Sequence, residues 1–281
     1  MATAADLKGK VAVVTGGGSG LGAAMGRVLA EAGMAVAALD IDEANARSTA
    51  ASLADDLGVR AIGVKADVGD PASIAAAAAT VEAELGRCDV LCANVGVQQF
   101  GAIDRLTDDD WAWVMNVNVL GTVRTVAAFL PLVRRSEGLR QIVLTSSSSA
   151  LVPGIRLGAY VTSKYAVLGY GETLRMELAD EGIGVTVVLP AGMMTRHLES
   201  SALAKPAEKG EWTLQPDDIE AMMSSRDIGQ EHVATAEHAV RDLLASIVDD
   251  EPYLITHGQY REAYHERLAA IEAAFDRMEQ T

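Results

Sequence analysis

Tyr160 and Lys164 stand four residues apart in the run AYVTSKY, a spacing that puts a phenol and an ammonium on one face of a helix. An unperturbed phenol, with a pKa near 10, is a poor base at neutral pH, and a cation beside it lowers that value by favouring the phenolate. The pair therefore suits a general acid/base whose proton moves to and from an alcohol. Helices hold many such pairs by chance, so its weight comes from its surroundings. The apolar run QIVLT just upstream leads into Ser146, Ser147, Ser148 and Ser149, which gathers hydroxyls at the carboxyl end of a strand. Further upstream, WAWVMNVNVLGTVRTVAAFLP reads as a long apolar helix carrying Asn116 and Asn118. Singly, a serine cluster is a turn or cap and a helix asparagine a core hydrogen bond. In this order, ahead of Tyr160 and Lys164, they read as one site.

A second constellation lies near the N-terminus. TGGGSGLG, from Thr15 to Gly22, follows the apolar run 11–14 and opens into the helix-like stretch 21–32. A tight strand-to-helix turn needs Gly16 for its backbone angles, Gly20 for close approach of a pyrophosphate and Gly22 for packing of the helix against the sheet. The helix N-terminus offers unpaired N–H groups to an anion. Asp40 ends a second apolar run, MAVAALD, about 20 residues on. An acid there accepts hydrogen bonds from adenosine ribose hydroxyls and repels a 2′-phosphate. With no Arg or Lys among Gly17, Gly18 and Ser19 to pair with such a phosphate, NAD is favoured over NADP.

These residues need a scaffold that alternates strands with helices. The runs 11–14, 35–39, 61–64, 90–93, 141–145 and 185–189 read as strands, and 21–32, 42–57, 71–86, 107–134 and 159–181 as crossover helices. Such alternation implies an α/β fold, a parallel sheet covered by helices on both faces. Right-handed crossovers leave a single doubly wound, Rossmann-type sheet as the simplest topology. No linker divides the chain, so residues 1–281 are expected to form one dinucleotide-binding catalytic domain. After Leu189 the pattern changes: residues 193–230 carry methionines and Trp212 without sustained periodicity, and read as an irregular lid over the site. A helix at 231–248, a short strand at 252–256 and an extra C-terminal helix at 259–279 complete the chain.

Composition excludes several partners. The chain has 281 residues, 49% hydrophobic and 4% aromatic, enough for a full core of Ala, Val and Leu. A formal charge of −16 argues against nucleic acid or an anionic membrane as partner. MATAADLKGK lacks the basic-then-apolar order of a signal peptide and no apolar run approaches the length of a membrane span, which predicts a cytoplasmic protein. Cys88 and Cys92 lie in CDVLC, where strand geometry separates them by roughly 13 Å, too far for a disulfide. The five histidines show no metal-ligand spacing, and no metal is expected.

The spacing Gly-x-x-x-Gly-x-Gly after Thr15, followed in order by Asn118, the serines and Tyr-x-x-x-Lys, resembles the short-chain dehydrogenase/reductase family, in register over about residues 8–195. The resemblance implies that Tyr160 is the acid/base and that Lys164 lowers its pKa and holds the nicotinamide ribose. It further implies that Ser147, thirteen residues before the tyrosine, orients the reacting oxygen, and that Asn118 supports a proton-relay water. Cofactor contacts are implied for Gly16, Ser19, Gly20, Leu21 and Gly22 in the turn, and for Asp40 and Ile41 after the second strand. Asp67 and Val68 in KADV, Asn94 and Gly96 in CANVG, and Tyr160, Lys164, Pro190, Met193 and Thr195 complete that set. Two departures from the family pattern stand out. Val95 replaces a small alanine, which predicts shifted cofactor contacts, and Pro190-Ala191-Gly192 stands where Pro-Gly is usual, which loosens the backbone contact expected near Met193. Family members usually associate through helices corresponding to 107–134 and 159–181, which implies a homodimer or homotetramer.

Ser147, Val97, Gln98, Ser149 and Met194 are the candidate substrate residues, with Phe100, Val152, Met193 and Trp212 as further lining. A neutral pocket under a lid bearing Met and Trp suits a small-molecule substrate that is a bulky, apolar secondary alcohol or its ketone, an aromatic one above all, better than a charged acid. The tail YLITHGQYREAYHERL is loosely similar to that of Cα-dehydrogenases acting on lignin-derived aryl ethers. One alternative is a β-ketoacyl or hydroxyacyl thioester enzyme, disfavoured by Asp40 and by the lack of a basic face for an acidic carrier protein. Another is a non-catalytic NAD sensor, against which Tyr160 and Lys164 are both present.

Overall fold

Buried apolar runs make the strands of this protein, whose computed structural model describes residues 7–193, 197–225 and 233–279. Among the described residues, β1 (Val11–Thr15), β2 (Ala35–Asp40), β3 (Ala61–Lys65), β4 (Val90–Ala93), β5 (Gln141–Thr145), β6 (Gly184–Leu189) and β7 (Tyr253–Ile255) form one sheet in the order β3-β2-β1-β4-β5-β6-β7. Every pairing is parallel. The connecting helices are α1 (Gly20–Glu31), α2 (Glu43–Leu57), α3 (Pro71–Leu85), α4 (Asp108–Met115), α5 (Gly121–Arg135) and α6 (Gly158–Leu178). Beyond β6 come α7 (His197–Ala204), α8 (Pro216–Ser225), α9 (Ala236–Val240), α10 (Leu243–Val248) and α11 (Arg261–Glu279). The expected doubly wound sheet is thus observed, and strand order reverses between β1 and β4, which opens a crevice at their carboxyl ends.

Alternation along each strand feeds two cores. In β1, Val13 joins Leu91, Ile142, Phe129 and Leu174 on the face covered by α3, α5 and α6. Ala12 and Val14 join Met25, Leu29, Leu53 and Leu243 on the face covered by α1, α2 and α10. Each fully buried side chain of this size contributes about 1.5–3 kcal/mol, so burial more than intrinsic propensity holds the helices. Local signals set their starts: the Asp42 carboxylate accepts from the Ala44 and Asn45 N–H groups, and Asp70 caps α3 ahead of Pro71. Cys88 and Cys92 are free and buried, and burial pushes the Cys92 thiol up to about 12.

Four expectations are corrected. The helix at 107–134 is broken by a π turn at Asn116–Leu120, where the Thr122 and Thr125 hydroxyls donate to the Asn118 and Gly121 carbonyls at 2.7 and 2.8 Å and compete with the regular ladder. The whole run Asp108–Arg135, 28 residues with a mean hydropathy of 1.3 in its most apolar window, is long and apolar enough to cross a membrane, contrary to the expectation of no such run. Its Val126, Phe129, Leu132 and Val133 are nevertheless packed in the core of this domain. The segment read as irregular contains α7 and α8, and the helix at 231–248 is two helices, α9 and α10, parted at Arg241 and Asp242, with 231 and 232 outside the described residues.

Candidate active site

A cleft of about 650 Å³ opens at the crevice, walled by the turn after β1, the carboxyl ends of β2 to β5, the start of α6 and parts of α7 and α8. At one end the chain turns through Gly16 and Gly20, both at positive φ (66° and 51°). A Cβ on Gly22 would lie 2.0 Å from the Gly16 carbonyl oxygen. Gly22 is therefore demanded by the turn itself, a correction to its expected role of packing helix on sheet. Ser19 precedes α1 without a side-chain cap, so the first N–H groups of the helix, at Gly20, Leu21 and Gly22, face the cleft without a side-chain partner.

Asp40 ends β2 beside this turn. Its Oδ2 accepts the Gly18 N–H and its Oδ1 the Asp42 N–H, each at 3.0 Å, and half-exposed Ile41 follows it on the cleft wall. Asp67 and Val68, after β3, line the same end, Asp67 accepting the Gly69 N–H at 2.8 Å. Asn116 was missed by sequence reasoning in this role: it lines the cleft, and with Arg124 it donates to the Gly69 carbonyl at 3.2 and 3.0 Å.

Asn94 ties three strand ends together. It donates from Nδ2 to the Thr15 carbonyl at 3.2 Å and accepts the Thr145 hydroxyl at 3.1 Å. Val95, the departure from the family pattern, lines the cleft but is packed against the core, with a methyl 3.3 Å from where a Cβ on Gly16 would be. Gly96 is held bare by chemistry: a Cβ there would meet the Lys164 Nζ at 2.9 Å.

Tyr160 and Lys164, both buried, project from the first turns of α6 into the cleft. The Lys164 Nζ donates to the Thr145 carbonyl at 3.0 Å and stands 5.6 Å from the Tyr160 ring centroid. Burial pulls the Lys164 ammonium down to about 8. Ser147 lies on the same wall, its Oγ accepting the Ser149 N–H at 3.1 Å and donating to the Pro190 carbonyl at 3.5 Å. Asn118 is the exception. It is fully buried behind the cleft wall, where its Oδ1 accepts the Val97 N–H at 2.7 Å and its Nδ2 donates to the Val97 carbonyl and to Ser163 Oγ at 3.0 and 2.9 Å.

Pro190 and Met193 also line the cleft. Near Met193 the main chain is tied to Ala234, whose N–H donates to the Gly192 carbonyl at 3.1 Å. Met194 and Thr195 lie outside the described residues. At the far end Val97, Gln98, Phe100 and Ser149 stand on the wall as expected, with Met222 from the methionine-bearing lid and with Trp113 and Leu157, which were not foreseen. Trp113 precedes Asn118 by five residues on one helical run, a signal that could have found it. Val152 and Trp212 are not on the wall; Trp212 supports it edge-on through Phe100, ring centroids 6.2 Å apart.

Known proteins match this geometry. The family model described as short chain dehydrogenase matches residues 10–205. The C alpha-dehydrogenase of Sphingobium sp. (strain SYK-6) is 31% identical over 95% of this chain and 86% of that protein. D-threitol dehydrogenase of Mycolicibacterium smegmatis is 35% identical over 67% of this chain and 72% of that protein. The structure of a short chain dehydrogenase/reductase from Burkholderia phymatum in complex with NAD superposes with a TM-score of 0.85 at 28% identity, covering 95% of this chain and 96% of the other.

Proposed function

This chain belongs to the short-chain dehydrogenase family, and from that premise we propose that it is an NAD-dependent oxidoreductase interconverting a bulky, apolar, aromatic secondary alcohol and its ketone. The observation that carries the reading is the buried Tyr160 and Lys164 pair on the wall of the cleft that also holds the glycine turn and Asp40.

The cleft fits a dinucleotide. Its glycine turn leaves main-chain N–H groups bare for a pyrophosphate, and each Asp40 oxygen, accepting one N–H, keeps lone pairs for ribose hydroxyls. Lys164 is the one Lys or Arg among the described residues on the wall, so a 2′-phosphate would face Asp40 without a partner. The bound NAD of the Burkholderia phymatum structure supports the same choice.

When bound, the nicotinamide supplies the hydride acceptor. The protein's part is position and charge. Ser147 Oγ holds the alcohol oxygen and the Tyr160 phenolate takes its proton, while the Lys164 ammonium favours that phenolate. Asn118 acts through others: its side chain is spent on Val97 and Ser163, which fixes the wall beside the reacting carbon. A relay water would use its main-chain carbonyl, which already accepts the Thr122 hydroxyl at 2.7 Å and has a second lone pair. Phe100 and Trp113 on the wall favour an aromatic substrate over an aliphatic polyol.

The test is a panel of secondary alcohols with NAD, read by the absorbance of the reduced nicotinamide, for the wild type and for Tyr160→Phe. Aryl alcohols are expected to turn over fastest, and the variant to lose about 10² to 10⁴ in kcat while NADH binding, read by fluorescence, is kept. A variant with wild-type turnover removes Tyr160 from its role.

A further inference from the structure

The segment after β4 is bonded at almost every polar point to the lid or to the core. The main chain of Val97 is held at both its N–H and its carbonyl by Asn118. The Gln98 N–H donates to Ser201 Oγ at 3.0 Å, and the Gln98 carbonyl accepts the Trp212 indole N–H at 2.8 Å. The Gln99 amide donates to the Phe100 and Thr213 carbonyls at 3.1 and 3.3 Å and accepts from Lys205 at 3.2 Å. Lys205 is itself buried and paired with Asp110 at 2.6 Å. The side-chain amide of Gln98 differs from all of these. It makes no hydrogen bond to any described residue, and Gln98 lines the substrate end of the cleft among Val97, Phe100, Trp113, Leu157 and Met222.

Ser147 and Tyr160 are assigned to the reacting oxygen, and the other polar side chains at this end, Ser149 and Ser200, each have a partner already. The sole basic side chain on the described wall is Lys164, which is taken up by the Thr145 carbonyl and by Tyr160. An anionic substrate group would therefore be buried without compensation, whereas a neutral oxygen matches what an amide can give: an N–H to an ether, or either of its ends to a hydroxyl. A ring lacking such an oxygen leaves the amide desolvated and unpaired, so discrimination comes from both sides of the comparison.

We propose that Gln98 is the specificity-determining residue of this pocket, its amide hydrogen-bonding a neutral ether or hydroxyl oxygen carried on the aromatic ring of the substrate. The inference rests on the aryl alcohol reading above and names the substituent that reading leaves open. The lid fixes the direction of the amide by spending the rest of the segment's bonds. Met222 and Phe100 supply the apolar contact around it.

Binding separates this inference from the proposed reaction. Acetophenone and a ring-methoxylated acetophenone are titrated into the enzyme–NADH complex, with fluorescence of the bound NADH as the readout, for the wild type, Gln98→Leu and Gln98→Glu. The wild type is expected to hold the methoxylated probe about tenfold more tightly, the scale of one neutral hydrogen bond. Both variants are expected to erase that preference, Leu by removing the amide and Glu by replacing its N–H donor with an acceptor. Equal binding of the two probes by the wild type, no binding of either, or a Gln98→Leu variant that weakens both alike overturns the proposal. Turnover is followed separately: probes that bind with the expected preference but are not reduced would refute the proposed reaction and leave the role of Gln98 standing.

Discussion

Each oxygen of Asp40 is pinned by one main-chain N–H, from Gly18 and from Asp42, so the carboxylate cannot turn away from a ligand on the glycine turn. Removing it should weaken NAD by the lost ribose hydrogen bonds and relieve repulsion of the NADP phosphate. A hydrogen bond to a charged group contributes roughly 1.5 to 3 kcal/mol, about ten- to a hundredfold in affinity. Asp40→Ala should narrow the NAD preference by that order, and Arg in place of exposed Ile41 should narrow it further or invert it. The measurement is kcat/KM with both cofactors. A wild type that already prefers NADP, or an unchanged ratio in the variant, would defeat the reading of the β2 carboxyl end. Asp40 was legible in the sequence for the same reason as the glycine turn and Tyr160 with Lys164: each spacing is local, set by one turn or one strand. The bonds of Asn118 were not, because they reach Val97 and Ser163, 21 and 45 residues away.

At the scale of elements, α7 and α8 are latched to the rest of the molecule by two buried carboxylates. Asp218 on α8 takes Arg105 and Arg156, and Asp110 at the start of α4 takes Lys205 just beyond α7. Burial alone would raise the Asp110 carboxyl, but hydrogen bonds from Lys205 and Thr107 to its charged form hold it below its ordinary value. A carboxyl depressed on folding stabilises above its unfolded pKa, about 3.9 for Asp, and loses that contribution as pH falls through the lower folded value. Lys205→Met should therefore cost roughly 3 kcal/mol near neutral pH, with the gap from wild type closing below about pH 4. Urea unfolding at neutral and acid pH checks this, with hydrogen exchange of residues 197–209 to show the lid loosening. A variant as stable as wild type at neutral pH would mean that the pair is not a latch. None of this was legible in the sequence. Helices of 8 and 10 residues that bury against a loop leave no sustained apolar period to read. A π turn inside an apolar run is likewise invisible to a 3.6-residue period, so α4 and α5 read as one helix.

On the whole molecule, large apolar side chains remain exposed on the last strand and on α6 and α11. Among the described residues the last strand, β7, pairs on one side alone, with β6; its Tyr253 and Ile255 are 44% and 56% exposed, and Met176 on α6 and Phe275 on α11 are more than half exposed. Edges of that kind are normally paired or covered. Association of copies is the expected cover, and it must work against a formal charge of −16 on each. Like charges repel over a Debye length, about 10 Å at 0.1 M salt and three times that at 0.01 M. Assembly into a homodimer or homotetramer should therefore strengthen as salt rises from the lower to the higher of these, the reverse of an interface held by opposite charges. Light scattering at micromolar concentration is the check, with masses at two or four times the 29.4 kDa chain expected at the higher salt. A lone 29.4 kDa species at both salts would leave β7 an uncovered edge and remove the expectation of an oligomer. An assembly that weakened with salt would move the contact away from this apolar edge to a charged surface.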